Sequence, residues 1–106
     1  MSDEQLKDVF KALSSSNRLR IVQLLKDPER NFPPQFHNQR GEDFPGGVCA
    51  GDIQNKIGLV QSTTSRNLSL LQKCGLLEKK IVGKWSYYRR NEEVIKQLNF
   101  FIYKIL

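Results

Sequence analysis

The sequence is poor in the residues that most catalytic, metal and disulfide sites require. Its 106 residues include one histidine, His37, and two cysteines, Cys49 and Cys74. A zinc site normally takes three or four nitrogen or sulfur ligands, and two cysteines do not make a disulfide framework. A hydrolase needs a nucleophile with a positioned base, and no glycine-rich phosphate loop is present. We therefore expect no enzyme, no metal site and no cofactor.

Long apolar runs and targeting signals are also missing. The first eight residues are mostly polar and acidic, unlike the apolar centre of a secretory signal peptide. The longest apolar cluster, Phe100 to Leu106, is interrupted by Lys104 and is too short to cross a bilayer. The sequence thus predicts a cytoplasmic protein with no membrane partner.

Acidic residues are almost absent from one third of the chain. Between Gln54 and Asn91 there are eight basic residues and a single acid, Glu78, whereas the remainder holds nine basic and ten acidic residues. The segment thus carries a charge of +7 and the remainder −1, so all of the excess positive charge of the chain belongs to one segment. Positive charge concentrated in this way favours a nucleic-acid partner.

Apolar spacing and capping residues predict five helices and one β-hairpin in a single domain spanning residues 1–106. The first helix is expected around the apolar stripe of Leu6, Val9, Phe10 and Leu13 and is broken by the serine run 14–16. The other helices are expected at about 16–26, 50–57 and 61–73, and from 92 to the end of the sequence. Ser15 and Asn91 are expected to cap helix starts, and Gly58 and Gly75 to close helix ends. Two strand-like runs, 76–81 and 85–90, flank Val82-Gly83-Lys84 and are typical of a hairpin.

The segment 27–48 differs from the rest. It holds all four prolines of the chain, and neither a helical nor a strand period survives in it. We interpret it as a proline- and glycine-rich insertion that ends in a short extended piece at 47–49. The sequence does not indicate what this insertion does.

The fourth predicted helix has two faces. Thr64, Leu68 and Leu71 are spaced to meet the core, while a stripe without acids lies elsewhere. In a helix-turn-helix the first residues of the second helix meet the bases, which nominates Gln61, Ser62, Thr63, Ser65 and Arg66. Such a stripe alone would fit an ordinary solvated face. The tight turn before this helix and the basic hairpin after it favour the major groove of DNA.

The hairpin is expected to act as a wing over residues 77–90. Lys80 and Lys84 can neutralise backbone phosphates, and the hairpin aromatics are expected to pack rather than stack on bases. A period of two puts Tyr87 and Tyr88 on opposite faces, and the pattern does not decide which face is inward. The fold class is therefore mainly α with a small β-hairpin wing, a winged helix-turn-helix.

The final helix is apolar almost all round, which has two explanations. Either it is buried in the domain core, or it forms a dimer interface together with the apolar stripe of the first helix. The predicted interface residues are Leu6, Val9, Phe10, Leu98, Phe101, Ile102 and Ile105.

Several segments resemble the ArsR/SmtB family of winged-helix repressors in order and spacing. They are Phe10-Lys11-Ala12-Leu13, Asn17-Arg18-Leu19-Arg20-Ile21, residues 61–68, Leu71, Gly75-Leu76-Leu77 and residues 83–88. The resemblance covers nearly the whole chain except the insertion. It implies a homodimeric repressor joined through its first and last helices, bound to an imperfect palindrome near its own promoter and released by an effector. The sequence names no effector.

Three departures from the family pattern matter. Val60 stands where the family usually has a capping serine or threonine, so the cap must come from elsewhere or be absent. Asn67 stands where the family often has histidine, and its amide can still bond to DNA or to the backbone, which adds it to the DNA-binding candidates. The stretch from Cys49 to Asp52 holds only the first of the two thiols found in the arsenic-type sensors, and one thiolate cannot form a multi-thiolate cage.

Two alternatives stay open. A winged-helix module could bind a protein or a polyanionic surface instead of DNA. A DNA-binding repressor could also respond to oxidation through Cys49 or Cys74, although an unpaired cysteine is more often a small buried apolar residue.

Overall fold

The computed structural model describes residues 1–35 and 44–106, in which six helices and three strands are formed. The helices are α1 (Asp3–Leu13), α2 (Ser16–Leu25), α3 (Pro28–Asn31), α4 (Ala50–Ile57), α5 (Gln61–Lys73) and α6 (Glu92–Ile105). The strands β1 (Val48–Cys49), β2 (Leu77–Val82) and β3 (Trp85–Arg90) form one antiparallel sheet in the order β1-β3-β2. The fold is mainly helical with a hairpin wing, as predicted.

Capping residues define several helix ends. The side chains of Ser15 and Asn91 accept hydrogen bonds of 3.3 and 3.2 Å from the third backbone N–H of the helix that follows each, which confirms both predicted caps. Gly58 and Gly75 end α4 and α5 with φ angles of 76° and 91°. Only glycine takes these left-handed values without strain, and this is why the two helix ends were predictable.

The prediction of five helices was wrong by one. Within the insertion, residues 28–31 form the short helix α3, with Pro28 at its start. Proline is favoured there because its φ is already helical and its missing N–H would have had no partner within the helix. The predicted extended piece at 47–49 is confirmed as β1, which pairs Val48 with Tyr88 and Cys49 with Tyr87. Part of the insertion, including His37, lies outside the described residues.

Both faces of β3 are covered at its centre. Tyr88 packs into the main apolar cluster, to which α1, α2, α4, α5, α6 and all three strands contribute. Tyr87 is fully buried in a second, smaller cluster with Phe44 and Cys49. The alternation pattern did not decide which face of β3 points inward. In the structure both faces are buried at the centre of the strand, because the helices cover one face and β1 and the end of the insertion cover the other.

Two predicted interface residues belong to the core of the protomer itself. Val9 on α1 is 0% exposed and Leu98 on α6 is 8% exposed, so neither side chain is available to a partner. Leu98 therefore fits the first explanation of the apolar final helix, burial in the domain core, and Val9 on α1 is buried in the same core. No helix in the described ranges has both the length and the apolar character needed to span a membrane.

Candidate nucleic-acid interface

The helix-turn-helix consists of α4, a tight turn at residues 58–60, and α5. The left-handed Gly58 lets its N–H bond to the carbonyl of Gln54 at 2.9 Å and redirects the chain. α5 begins at Gln61 and runs to Lys73. Both helices have the predicted ranges. Gly58 and Gly75 mark their C-terminal ends, and the apolar residues before each glycine have helical spacing.

One side of α5 locks into the core. Thr64, Leu68 and Leu71 are at most 2% exposed, and the hydroxyl of Thr64 donates to the carbonyl of Val60 at 3.0 Å. The positions of side chains around a helix are fixed relative to one another. Burial of these three residues therefore determines which residues of α5 face solvent on the opposite side. The predicted inward face of the helix is correct.

The other side of α5 is polar and free of acids. Gln61, Ser62, Ser65 and Arg66 are exposed, and Thr63 is partly exposed beside them. The structure thus brings five of the predicted DNA-binding residues onto one accessible surface at the start of the helix. We call this set the groove face.

Asn67 does not lie on the groove face. Its side chain is 7% exposed, and its Oδ1 accepts a hydrogen bond of 3.3 Å from Nη1 of Arg18. Arg18 also donates from Nε to the carbonyl of Ala12 at 2.8 Å. The sequence does not reveal this contact, because helical periodicity holds no signal for a contact between residues so far apart in the chain.

Within the described part of the chain, no side chain caps the start of α5. Val60 occupies the N-cap position with φ −70° and ψ 159°, and its side chain is 66% exposed. No acid stands in the first turn. Of the two possibilities left open at this position, the absent cap is the one found among the described residues. The first N–H groups of the helix, which carry its partial positive charge, therefore have no side-chain partner there.

The wing starts directly after α5. The N–H of Leu76 bonds to the carbonyl of Leu71 at 3.0 Å, which holds β2 against the helix. β2 and β3 pair from Leu77 opposite Arg90 to Val82 opposite Trp85. The two-residue turn between them uses Gly83, whose φ is 59°, as such turns require.

Not every cation of the wing is free to meet a ligand. Arg89 lies 3.4 Å from Glu78, donates to the carbonyl of Pro45 at 3.2 Å, and stacks 4.1 Å over the ring of Phe44. Arg90 forms a bidentate pair with Glu92 at 2.7 and 2.8 Å. These two arginines therefore fasten the wing to its surroundings.

The lysines of the wing remain available. Lys84 is exposed at the turn with its Nζ 5.6 Å from the ring of Trp85, and Lys80 is partly exposed. Lys79 lies 5.7 Å over Tyr88. None of the three makes an ion pair with any residue in 1–35 or 44–106. Their charge is therefore not neutralised by a described acid.

The two cysteines lie in different clusters. Cys74 belongs to the main core and Cys49 to the smaller cluster. Burial raises the pKa of both thiols, and the carboxylate of Asp52 adds to the rise at Cys49. A raised pKa lowers the thiolate fraction, and the thiolate is the reactive form. Beside Cys49, burial also raises the pKa of Tyr87, whose hydroxyl has no hydrogen-bond partner among residues 1–35 and 44–106.

No metal centre is formed by the described side chains. Groups of three or more histidine, cysteine, aspartate or glutamate residues able to hold an ion are absent from that part of the chain. His37 lies outside the described residues. The expectation that the chain binds no metal stays a prediction.

Known proteins share both the sequence and this architecture, although no family model matches the chain. An uncharacterized HTH-type transcriptional regulator of Bacillus subtilis is 43% identical over 96 residues, covering 90% of this chain and 92% of that protein. The arsenical resistance operon repressor of Bacillus subtilis is 32% identical over 89 residues, covering 84% of this chain and 69% of that protein. The chain belongs to the ArsR family of winged helix-turn-helix transcriptional regulators.

A solved structure agrees with the ArsR assignment. The homodimeric winged helix-turn-helix DNA-binding domain of a possible ArsR-family regulator from Mycobacterium bovis matches with a TM-score of 0.67 and 27% identity. The match covers 94% of this chain and 82% of that one. The predicted resemblance, the winged-helix fold and the exclusion of an enzyme are confirmed, since the ArsR family consists of non-enzymatic regulators.

Proposed function

We propose that two copies of this chain form a repressor that binds a two-fold symmetric site in double-stranded DNA. α5 of each copy enters a major groove, and the wing follows the adjacent backbone. Two-fold symmetry places the recognition helices in successive major grooves, so the half-sites are expected about one helical turn apart.

The observation that carries the proposal is the groove face. Four of its five members are exposed, Thr63 is partly exposed, and none carries a negative charge, whereas the opposite side of the same helix is buried in the core. Arg66 can bond to guanine and Gln61 to adenine through base edges, while Ser62 and Ser65 can reach phosphates. A face of this kind would be unremarkable on an isolated helix, but here it follows a tight turn and adjoins a basic hairpin.

The wing supplies attraction that does not depend on sequence. Lys80 and Lys84 are not paired with described acids and can neutralise phosphates, releasing counterions. The uncapped start of α5 at Val60 favours a phosphate in the same way, through exposed N–H groups and the helix dipole. These contacts would fix the register of the helix on the duplex while the groove face reads the bases.

A second copy is supported by the apolar stripe of α6. Its first half, including Val94 and Ile95, packs against the core of the protomer. The same stripe continues with Ile102 and Ile105, which are 42% and 55% exposed. Burial of such side chains contributes free energy in proportion to the apolar area removed from water, and a stripe that runs past its own core needs a partner.

α1 adds to the same proposed interface. Phe10 is 40% exposed, Leu6 is partly exposed beside it, and Phe101 is partly exposed on α6. The proposed contact set is therefore the predicted one without Val9 and Leu98, which lie inside the protomer. The remaining residues are Leu6, Phe10, Phe101, Ile102 and Ile105.

The first test is selection of genomic DNA fragments by the purified protein at near-physiological salt. We expect a two-fold symmetric motif with half-sites about one turn apart. Failure to recover a motif, with binding that vanishes as salt rises, would refute the repressor. It would favour the alternative of a winged-helix module that binds a protein or a polyanionic surface.

Two substitutions separate base reading from phosphate contact. Arg66→Ala should weaken binding to the selected site by about 10- to 100-fold and relax the sequence preference at one position. Lys84→Ala should weaken all sequences alike and reduce the salt slope by about 1. Arg30→Ala is the matched control, because it removes the same charge from an exposed position on α3.

The dimer has its own test. Ile105→Glu places a charge in the exposed part of the α6 stripe and should shift the protein toward monomers in analytical ultracentrifugation, with loss of palindrome binding. Lys96→Glu alters an exposed position on the same helix and should leave the association state unchanged. Equal sedimentation of the two variants would contradict an interface at this stripe.

The thiol alternative concerns regulation of the same DNA-binding protein. We infer that Cys49 and Cys74 act as buried apolar residues, because burial raises the pKa of both thiols. Mild oxidation should therefore leave DNA affinity unchanged. A change of affinity that is lost in Cys49→Ser or Cys74→Ser would instead establish a redox-responsive repressor.

A further inference from the structure

Arg18 joins three helices through one side chain. It sits in the first turn of α2, where its own N–H bonds to the capping oxygen of Ser15. Its Nε donates to the carbonyl of Ala12 near the end of α1, and its Nη1 donates to Oδ1 of Asn67 in the middle of α5. The two contacts measure 2.8 and 3.3 Å.

Among the described residues, Arg18 provides the hydrogen bond that each of these two oxygens accepts. The carbonyl of Ala12 lies in the last turn of α1, where carbonyls have no partner within the helix. The amide of Asn67 is 7% exposed, and a buried polar group without a hydrogen bond is costly. Hydrogen bonds from a guanidinium are stronger than neutral ones, so Arg18 favours one arrangement of the three helices.

That arrangement decides where the groove face points. Asn67 directly follows Arg66, and neighbouring residues on a helix are about 100° apart around its axis. Burial of Thr64, Leu68 and Leu71 determines which side of α5 faces the core. Holding Asn67 inward against Arg18 further restrains the rotation of α5 about its axis. A small rotation would move every side chain of the groove face together, and base reading depends on the alignment of donors and acceptors.

We propose that Arg18 is a positioning residue for DNA sequence recognition, acting through Asn67 to restrain the rotation of α5 without touching DNA. The inference rests on the proposed function. Because Ala12 belongs to α1, which carries part of the proposed dimer contact, the same side chain also relates the recognition helix to the dimer axis.

The test is a double-mutant cycle read out as specificity. Arg18→Ala, Asn67→Ala and the double variant are compared by the ratio of their affinities for the selected operator and for a scrambled duplex, at one salt concentration. We expect each single change to lower this ratio by roughly tenfold and the double change to lower it no further. Arg20→Ala is the matched control, since it removes the same charge from an exposed position on the same helix.

Several outcomes would overturn the inference. A specificity ratio in Arg18→Ala equal to that in Arg20→Ala would do so, as would additive losses in the double variant. Loss in Asn67→Ala alone would instead make Asn67 a direct DNA contact. Should Arg18→Ala not fold, Arg18→Lys keeps the charge but not the planar fork, and it should still lower the ratio. A wild-type chain without sequence preference would refute the proposed function itself. If the wild type is specific and only the Arg18 result fails, the inference about Arg18 is refuted and the proposed function stands.

Discussion

Replacing Val60 with serine should stabilise the protein by completing the missing cap of α5. The backbone of Val60 already has the extended N-cap conformation, with φ −70° and ψ 159°. A serine Oγ there can accept from the N–H of Ser62 or Thr63, as serine does at other helix starts. Ser15 makes this contact at the start of α2 within the same chain.

The size of the effect follows from what is gained and what is lost. Valine at this position is 66% exposed, so its removal gives up little buried apolar area. A serine cap contributes about 1 kcal/mol relative to an uncapped start. For a domain of about 100 residues, this raises the midpoint of thermal unfolding by about 4 to 8 °C. Calorimetry or circular dichroism at one fixed protomer concentration measures it, because the midpoint of a dimer depends on concentration.

Val60→Ala is the matched control for the cap. It shortens the side chain as serine does but offers no acceptor, so its midpoint should stay near that of the wild type. Equal midpoints for the serine and alanine variants would refute the reasoning that the first N–H groups of α5 lack a partner.

Val60→Asp extends the same reasoning to DNA. Aspartate caps a helix as well as serine does, and its charge also favours the positive end of the dipole. The free protein should therefore gain at least as much stability as with serine, while DNA binding weakens because a negative charge meets phosphates. Stabilisation without loss of DNA affinity would contradict the proposed docking of this helix start.

Three further predictions concern the core, an ion pair and the thiols. Leu71→Ala should cost about 2 to 5 kcal/mol in urea unfolding, whereas Leu70→Ala, at a position 42% exposed, should cost much less. The hydrogen bonds from Arg90 lower the pKa of Glu92, so Glu92→Gln should destabilise at neutral pH. This difference should start to shrink below the ordinary glutamate pKa of about 4.3 and disappear once the pH has fallen through the lowered pKa of the folded protein. The two buried cysteines should react with a thiol reagent far more slowly in the native protein than in urea, and a native rate equal to the unfolded one would contradict their burial.

The sequence determined the elements that depend on near neighbours. The ranges of α4 and α5 were predicted correctly because Gly58 and Gly75 mark their ends and an apolar stripe lies between. The hairpin followed from two strand-like runs around Gly83, and the caps of α2 and α6 from Ser15 and Asn91. Each of these signals acts within a turn or two of the chain, where backbone conformation and local hydrogen bonds decide the structure.

α3 was missed because a proline-rich segment holds no helical period, although Pro28 is well suited to a first helical position. The pairing of β1 with β3 was also not predicted, because the sequence of one strand holds no signal for a partner strand far away in the chain. Without that pairing, alternation could not reveal that Tyr87 and Tyr88 are both buried.

The amphipathic pattern of the sequence determined that one side of α5 faces the core and that its other side is polar, because burial of apolar residues requires it. Only the tertiary structure decided which polar residues belong to which side. Asn67 turns inward because Arg18, from another helix, gives its buried amide a partner. Val9 and Leu98 are buried because several helices and strands pack around them. Such contacts depend on where distant segments meet, and that meeting is a property of the packed chain and not of any one stretch of sequence.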